Sequence, residues 1–290
     1  MTTSNWFASG TFILDGGWGT QLQLRGLPVG EHPDLWNLSH PDKVREVAAA
    51  YVQAGSDIIL TNTFGANRLL LAKQGAEDKI AELNRAGVRL SKEIAQKHHR
   101  RVFASIGPTG VMLMSGTTTP DELYAVFLEQ ADAIAAEQPD GMVIETMCDP
   151  AEAVLAVKAA KTTGLPVAAC MVFDTGKNKD RTMMGTTPEQ AVEQLTAAGA
   201  DIVGANCGQG IDGFIPICKR MRAVTTVPLW MKANAGLPEI EDDKTVYRQT
   251  PEKFAESAKE LLAAGANFIG GCCGTTPEFI RALRLSLENN

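Results

Sequence analysis

The residues with the clearest chemical potential are three cysteines that stand beside glycines in two distant parts of the sequence. Cys207 precedes a glycine, and Cys272 and Cys273 are adjacent between Gly271 and Gly274. Thiolates are preferred zinc ligands, with Zn–S distances of about 2.3 Å, and three protein ligands leave a fourth position open, as in catalytic zinc sites. If folding brings the two segments together, these cysteines predict a catalytic Zn²⁺ site.

A free cysteine is more commonly a small buried apolar residue, and this alternative applies to every cysteine considered singly. We retain it for Cys148, Cys170 and Cys218, which lack the glycine-rich surroundings of the other three. Glycine lets the backbone bend closely around a bound group. The glycines therefore favour a metal site for the remaining trio.

A zinc ion with three thiolates has a particular chemistry. The thiolates already offset its double positive charge, which makes it a weak Lewis acid for hydrolysis. It can still bind the thiol of a substrate and favour deprotonation of that thiol at neutral pH. Methylation would turn the sulfur into a thioether, which is a poor zinc ligand and can leave. The three cysteines therefore indicate alkylation of a substrate thiol.

The helices and strands that must position these residues can be located from a repeated sequence pattern. In this pattern Ala-Gly, a small residue and Asp or Asn are followed by a short apolar run. Glycine suits the end of a helix, and a short apolar run suits a strand that is buried on both faces. Strands are predicted near 12–15, 57–61, 102–106, 141–145, 166–171, 201–205, 227–231 and 267–270. Helices are predicted near 42–54, 77–98, 120–138, 150–163, 188–198, 213–223, 252–264 and 277–287.

Eight strands that alternate with eight helices predict a parallel sheet, either closed or open and doubly wound. The chain of 290 residues gives about 36 residues for each unit, which favours a single (β/α)8 TIM barrel spanning residues 1–290. In such barrels the active site lies at the carboxyl ends of the strands. The predicted strand ends carry Asp15, Gly16, Gly17, Asn62, Thr63, Glu145, Cys207, Asn234, Cys272 and Cys273.

Composition excludes several other classes of protein. There are 27 basic and 34 acidic side chains, a net charge of −7, so we expect no nucleic-acid binding. No apolar run is long enough for a membrane span, and the first ten residues lack the features of a secretory signal. Six cysteines are too few for a disulfide scaffold of this size. These features predict a cytoplasmic protein with reduced thiols.

Several motifs together resemble the homocysteine S-methyltransferase family, from about residue 10 to residue 287. This family includes betaine–homocysteine methyltransferase, S-methylmethionine-dependent enzymes and the homocysteine-binding module of cobalamin-dependent methionine synthase, which the sequence resembles most. The resemblance implies an eight-fold α/β barrel with a catalytic zinc ion. The motifs are Asp15-Gly16-Gly17-Trp18-Gly19-Thr20, Thr61-Asn62-Thr63-Phe64-Gly65-Ala66-Asn67, Gly107-Pro108-Thr109-Gly110, Glu145-Thr146, Asn206-Cys207 and Gly270-Gly271-Cys272-Cys273-Gly274-Thr275-Thr276-Pro277.

The resemblance also implies roles for individual residues. Cys207, Cys272 and Cys273 would be the zinc ligands, and Asn234 matches a residue that can fill the fourth zinc position when substrate is absent. Asp15 and Glu145 would hold the amino-acid end of homocysteine. Without the resemblance, these two could equally be a turn former and a strand-end carboxylate. The positions that match the family's substrate site are Asp15, Gly16, Gly17, Asn62, Thr63, Glu145 and Asn234.

The methyl donor is less constrained by the sequence. Likeness to the methionine synthase module, in residues 62–68 and 244–247, favours a methylated corrinoid: methylcobalamin, either free or carried by a separate corrinoid protein. No cobalamin-binding or folate-binding domain is expected within these 290 residues. The alternative donor is a small onium compound such as betaine, S-methylmethionine or another sulfonium.

Two other functions remain as alternatives. The same barrel could be a non-catalytic sensor of homocysteine or zinc, which would bind both without turnover. It could also be a lyase or aldolase with inert cysteines. That reaction needs a lysine at a strand end, and Lys232, just past the seventh predicted strand, is the only candidate. We rank the lyase last, because no phosphate-binding glycine loop follows that strand.

Overall fold

The computed structural model of the chain describes residues 6–8, 10–28, 30–241 and 244–288. Eight parallel strands form one sheet that curves into a nearly closed barrel, and a small antiparallel hairpin lies outside it. Of the first ten residues, from which we predicted the absence of a secretory signal, residues 1–5 and 9 lie outside the described ranges. The strands are β1 (Phe12–Ile13), β2 (Ile58–Ile59), β3 (Arg101–Ile106), β4 (Gly141–Met147), β5 (Val167–Met171), β6 (Ile202–Gly210), β7 (Leu229–Asn234), the hairpin strands β8 (Glu239–Glu241) and β9 (Lys244–Val246), and β10 (Phe268–Gly271).

The sheet runs in the order β1, β10, β7, β6, β5, β4, β3, β2, so its two edge strands are the first two in the sequence. These edges meet through Asp57. Its backbone N–H donates to Ile13 O (2.7 Å), and its carboxylate accepts from Ile13 N (2.9 Å). The predicted (β/α)8 barrel is confirmed.

Helices surround the barrel, and eight of them are the predicted ones. Thr119 and Thr187, each followed by a proline, form capping boxes at the N-termini of two of these helices. Short helices before α3, the helix after β2 and the β8–β9 hairpin were not predicted. No helix within the described ranges has the length and apolar content needed to cross a bilayer. The helices are α1 (Trp18–Leu24), α2 (Trp36–Ser39), α3 (Pro41–Ala54), α4 (Arg68–Ala72), α5 (Ile80–Lys97), α6 (Pro120–Ala135), α7 (Pro150–Lys161), α8 (Pro188–Ala197), α9 (Ile211–Val224), α10 (Pro251–Ala263) and α11 (Pro277–Glu288).

The repeated Asp or Asn at the helix–strand junctions has a structural role. In each repeat its side chain accepts a hydrogen bond from the first residues of the neighbouring strand. This bond sets the register of two parallel strands where the ladder begins. The pairs are Asp57 Oδ2 with Ile13 N (2.9 Å), Asp201 Oδ2 with Val167 N (2.8 Å) and Asn267 Oδ1 with Leu229 N (3.0 Å).

The interior of the barrel changes from apolar to polar along the strands. Its floor is a stack of aromatic rings, with Trp230 centred 5.4 Å from Phe103 and 5.2 Å from Phe268. Side chains alternate between the two faces of a strand, so the residue two positions further on also points inward. On β3 and β7 those residues are Ser105 and Lys232, both buried. The aromatic floor therefore supports a polar layer directly above it.

A glycine in β6 lets two strands approach closely. A Cβ at Gly204 would overlap the backbone carbonyl oxygen of Trp230 in β7. The obstacle is main chain in the middle of the barrel, so neither side can move without distorting the sheet.

We therefore expect Gly204→Ala to lower the free energy of unfolding by about 3 kcal/mol. The matched control is Gly19→Ala in α1, where an added Cβ has no neighbour within 4 Å; it should stabilise the chain by at most about 1 kcal/mol. Urea unfolding followed by circular dichroism measures both. Equal stability of the two variants would contradict the close approach of β6 and β7.

Candidate active site

A cavity of about 450 Å³ opens at the carboxyl ends of the barrel strands. Its position agrees with the site expected for this fold. The wall combines sulfur, carboxylate, ammonium and amide groups with two aromatic side chains. Its lining includes Gly16, Gly17, Trp18, Asn62, Phe64, Ser105, Glu145, Thr146, Cys207, Lys232, Cys272 and Cys273.

The three predicted zinc ligands meet in this wall. The Sγ atom of Cys207 lies 2.9 Å from Sγ of Cys272 and 3.5 Å from Sγ of Cys273. All three sulfurs lie within 4.8 Å of one another. In a tetrahedral zinc site with Zn–S of about 2.3 Å, two ligand sulfurs are about 3.8 Å apart. The spacing and the donor type therefore fit a zinc ion.

An unusual backbone conformation places Cys207. Neighbouring residues of a regular strand point to opposite faces, yet both Asn206 and Cys207 contact Cys272, through Nδ2 at 3.8 Å and Sγ at 2.9 Å. The φ of Cys207 is +60°, and the register of β6 shifts between Asn206 and Gly210. This left-handed turn is costly for a residue with a side chain. It brings two consecutive side chains to the same site.

The proton affinities of the sulfurs also fit a cation. Hydrogen bonding within the cluster and burial raise the pKa of Cys207 well above its usual value. Hydrogen bonds from Cys207 and Cys272 lower the pKa of Cys273 to about 3. Without a cation, the cluster therefore holds one thiolate supported by two thiols. A divalent ion would supply the charge that lets all three ionise.

Asp15 lies beneath the cavity wall and is fully buried. Its Oδ2 atom accepts hydrogen bonds from Trp18 Nε1 and from Leu60 N, both at 2.6 Å. Its Oδ1 atom forms a salt bridge with the ammonium of Lys232. Burial alone lowers the pKa of Lys232, but the carboxylates of Asp15 and Glu145 more than offset this and leave it raised.

Glu145 is a carboxylate of the cavity lining that lies near the sulfurs and Lys232. Its Oε1 atom accepts a hydrogen bond from Ser105 Oγ, and Asn206 Nδ2 lies 3.4 Å from its Oε2 atom. Burial raises the pKa of Glu145 to about 7, although Lys232 opposes this shift. A positive charge placed beside Oε2 would favour the ionised form. Glu145 is therefore suited to bind a cationic group.

The structure brings some predicted substrate residues to the cavity and leaves others behind it. Gly16, Gly17, Asn62 and Glu145 line it, whereas Asp15, Thr63 and Asn234 are buried in its support. The side chain of Thr63 donates to Ser105 O (2.7 Å), and Asn234 Oδ1 accepts from Cys273 N (3.1 Å). The roles of these residues toward a substrate stay predictions.

Sequence reasoning missed the part that Lys232 and Ser105 have in this site. Lys232 was placed just past the seventh strand, but β7 continues to Asn234 and includes it. The sequence did contain a signal. Side chains alternate between the two faces of a strand, so residues two positions after the apolar Phe103 and Trp230 should point to the same face as they do. Cys170 and Cys218 are buried outside the sulfur cluster, as expected. Cys148 also lies outside the cluster but is only half-buried.

The profile of the family described as Homocysteine S-methyltransferase matches residues 12–287. The chain belongs to this family. The predicted resemblance is thereby confirmed, and with it the assignment to the methyltransferase class of enzymes.

Two curated relatives of the chain are methionine synthases. That of Mycobacterium leprae is 28% identical over 94% of the chain. Methionine synthase of Mycobacterium tuberculosis is 27% identical over 96% of the chain. The match spans only 24% of the length of each relative. The chain therefore corresponds to about a quarter of these longer proteins.

Solved structures share the fold. The metallated form of the homocysteine methyltransferase MmuM from Escherichia coli has a TM-score of 0.79 and 22% sequence identity, and 96% of each chain is covered. The apo form of the same enzyme has a TM-score of 0.75 and 20% identity over 98% of each chain. At this identity the likeness supports the barrel architecture.

We expect the buried carboxyl of Glu145 to destabilise the zinc-free protein at high pH. Its folded-state pKa of about 7 exceeds the ordinary value of 4.5, so the folded chain binds this proton more tightly than the unfolded chain. Stability should fall as pH rises from about 4.5 through 7. The substituted amide of Glu145→Gln has no charge at any of these pH values. The free energy of unfolding of this variant, relative to that of the wild type, should therefore rise from pH 5 to pH 8, by up to about 3 kcal/mol.

The control is Glu189→Gln. Hydrogen bonds from Arg220 lower the pKa of Glu189 to about 2, so this group stays ionised from pH 5 to pH 8. The effect of this substitution should not change over that interval. Urea unfolding in the presence of a chelator measures both variants. A pH-independent effect of Glu145→Gln would contradict the raised pKa.

Proposed function

We propose that the chain transfers a methyl group to the sulfur of homocysteine and produces methionine, with Zn²⁺ held by Cys207, Cys272 and Cys273. The observation that carries this proposal is the convergence of three sulfurs, within 4.8 Å of one another, on a cavity that also contains a carboxylate and an ammonium. Sulfur ligands suit a thiol reaction, and the charged pair suits an amino acid. Family membership supports the same assignment.

When bound, zinc would lower the pKa of the substrate thiol and so supply a nucleophilic sulfur at neutral pH. The three cysteines would hold the ion at the cavity wall. Asn234 is fixed beside them by its hydrogen bond with Cys273 N. In this proposal Asn234 would fill the fourth coordination position when substrate is absent.

Other residues would orient the amino-acid end of homocysteine. Glu145 would accept the substrate ammonium at Oε2, the oxygen with the weaker hydrogen bond. Gly16 and Gly17 would allow close approach of the backbone. Asn62 lines the cavity, and its Nδ2 donates to Asn37 Oδ1 (3.0 Å) and Pro33 O (2.8 Å), which fixes the wall on that side. Thr63 would support Ser105 from behind, and Asp15 completes the charged end of the site.

For the methyl donor we propose a methylated corrinoid, either free methylcobalamin or a corrinoid carried by a separate protein. Corrinoids are large, and their approach requires an open mouth. Exposed apolar side chains lie on the loops that follow β2, β3 and β5, which form this mouth. They are Phe64, Met112, Met114, Met183 and Met184, of which Met114 is 72% exposed. Similarity to the methionine synthases supports this choice of donor.

We expect about one zinc ion per chain in the purified protein, and loss of this ion on Cys272→Ala. Removal of one thiolate leaves too few ligands for a tight site. Zinc is measured by mass spectrometry of the metal after dialysis, and folding by circular dichroism.

The matched control is Cys218→Ala. Cys218 is buried between α9 and α10, where its Sγ lies 3.6 Å from Ala264 O. This variant should keep its zinc. A Cys272→Ala protein that retains one tightly bound zinc ion would refute the proposed ligand set.

The donor is tested by offering the zinc-loaded protein homocysteine with methylcobalamin, a methylated corrinoid protein, betaine, S-methylmethionine, dimethylsulfoniopropionate or S-adenosylmethionine. We expect methionine, detected by mass spectrometry, from the corrinoid donors. Formation of methionine from an onium compound alone would replace the corrinoid with that donor. Binding of homocysteine without methionine from any donor would instead indicate a sensor.

A further inference from the structure

We infer that Lys232 binds the carboxylate of the amino-acid substrate, and that Asp15 is a positioning residue that holds Lys232 rather than a direct substrate contact. This inference rests on the proposed function, because the substrate class, an α-amino acid with a thiol, comes from it.

The first observation is that the ammonium of Lys232 has unused hydrogen-bond donors. A lysine ammonium carries three N–H groups. Among the residues that the structure describes, Asp15 Oδ1 is its one hydrogen-bond acceptor. Lys232 is only 2% exposed and lines the cavity. A buried charge with unused donors is costly unless a further acceptor completes it, and a ligand in the cavity can provide that acceptor.

The second observation is that most of the hydrogen-bond acceptor positions of Asp15 are already used within the protein. Its two oxygens already accept three hydrogen bonds, from Lys232, Trp18 and Leu60. Asp15 therefore has about one acceptor position left. It is fully buried and lies behind the cavity lining rather than in it. Glu145 faces the cavity and is the better acceptor for that ammonium.

The third observation concerns the position of Lys232 relative to the sulfurs. In the sheet register Lys232 pairs with Asn206 on one side and with Gly270 on the other. Cys207 follows the first partner directly, and Cys272 lies two residues beyond the second. The lysine thus lies between the two strands that supply the cysteines. A short amino acid could place its sulfur at the cysteines and its carboxylate at Lys232.

Charge complementarity completes the argument. An α-amino acid presents one positive and one negative group on a single carbon atom. Glu145 and Lys232 present the opposite charges in the same wall of the cavity. The zwitterionic substrate leaves the net charge of the site unchanged, and each of its charged groups meets a group of opposite sign: its ammonium meets Glu145 and its carboxylate meets Lys232.

The test compares two thiols by calorimetry with zinc-loaded protein: homocysteine, and 3-aminopropane-1-thiol, which lacks the carboxylate. The wild type should bind homocysteine about ten- to a hundredfold more tightly, the range expected for a hydrogen-bonded charged contact. Lys232→Met should abolish this preference by weakening homocysteine binding alone. Because that substitution leaves Asp15 buried and unpaired, the double variant Lys232→Met/Asp15→Asn provides the same test without the orphaned charge.

The role of Asp15 is tested separately with Asp15→Asn. A positioning residue should reduce the preference for homocysteine and leave the affinity for 3-aminopropane-1-thiol unchanged. If Asp15 instead contacts the substrate ammonium, both thiols should bind more weakly, and the assignment would be overturned.

The matched control is Lys161→Met, which breaks a lysine–aspartate pair (Nζ to Asp201 Oδ2, 2.7 Å) on the outside of the barrel. It should preserve the wild-type preference. The inference would be overturned if Lys232→Met and the double variant weakened the binding of both thiols equally, or changed the binding of neither, while the wild type still bound and methylated homocysteine. Failure of the wild type to bind either thiol would instead overturn the proposed function and the inference with it.

Discussion

Three sulfurs within 4.8 Å of one another cannot all be ionised unless a cation lies among them. This electrostatic constraint gives the cysteine cluster its chemical meaning. Burial raises the cost of each negative charge, and the hydrogen bonds inside the cluster concentrate the charge on Cys273. The barrel contributes by ending all eight strands at one edge, so segments 65 residues apart supply neighbouring side chains.

The same edge also carries the charged groups that would orient a substrate. Lys232 is stable in the barrel because Asp15 pairs with it, and Asp15 is held in turn by Trp18 and the backbone of Leu60. Removing Asp15 or Lys232 alone would leave the other charge buried without its partner, which costs more than the intact pair contributes to stability. The site is therefore one electrostatic unit built on the first strands and on β7.

Much of this arrangement follows from the sequence. The apolar runs after three Ala-Gly junctions indicated buried strands, and the count of eight predicted strands alternating with eight helices favoured the barrel. Strand ends could be located well enough to bring Cys207 and Cys272 to one edge. The left-handed turn at Cys207 could not be predicted, because its cost is compensated by tertiary contacts that no local pattern records. The pairing of Lys232 with Asp15 was missed for a related reason: the end of β7 was placed too early, and lysine is rarely fully buried unless it is paired.

The stacked rings of Phe103, Trp230 and Phe268 close the barrel below the polar layer, and all three are fully buried. Both reactants must therefore pass through the same opening. A bulky donor seated across that opening would block the smaller thiol from reaching the sulfur cluster beneath it. With the bulky donor proposed above, the acceptor would therefore have to bind first, and the methylated product would leave only after the spent carrier had moved away.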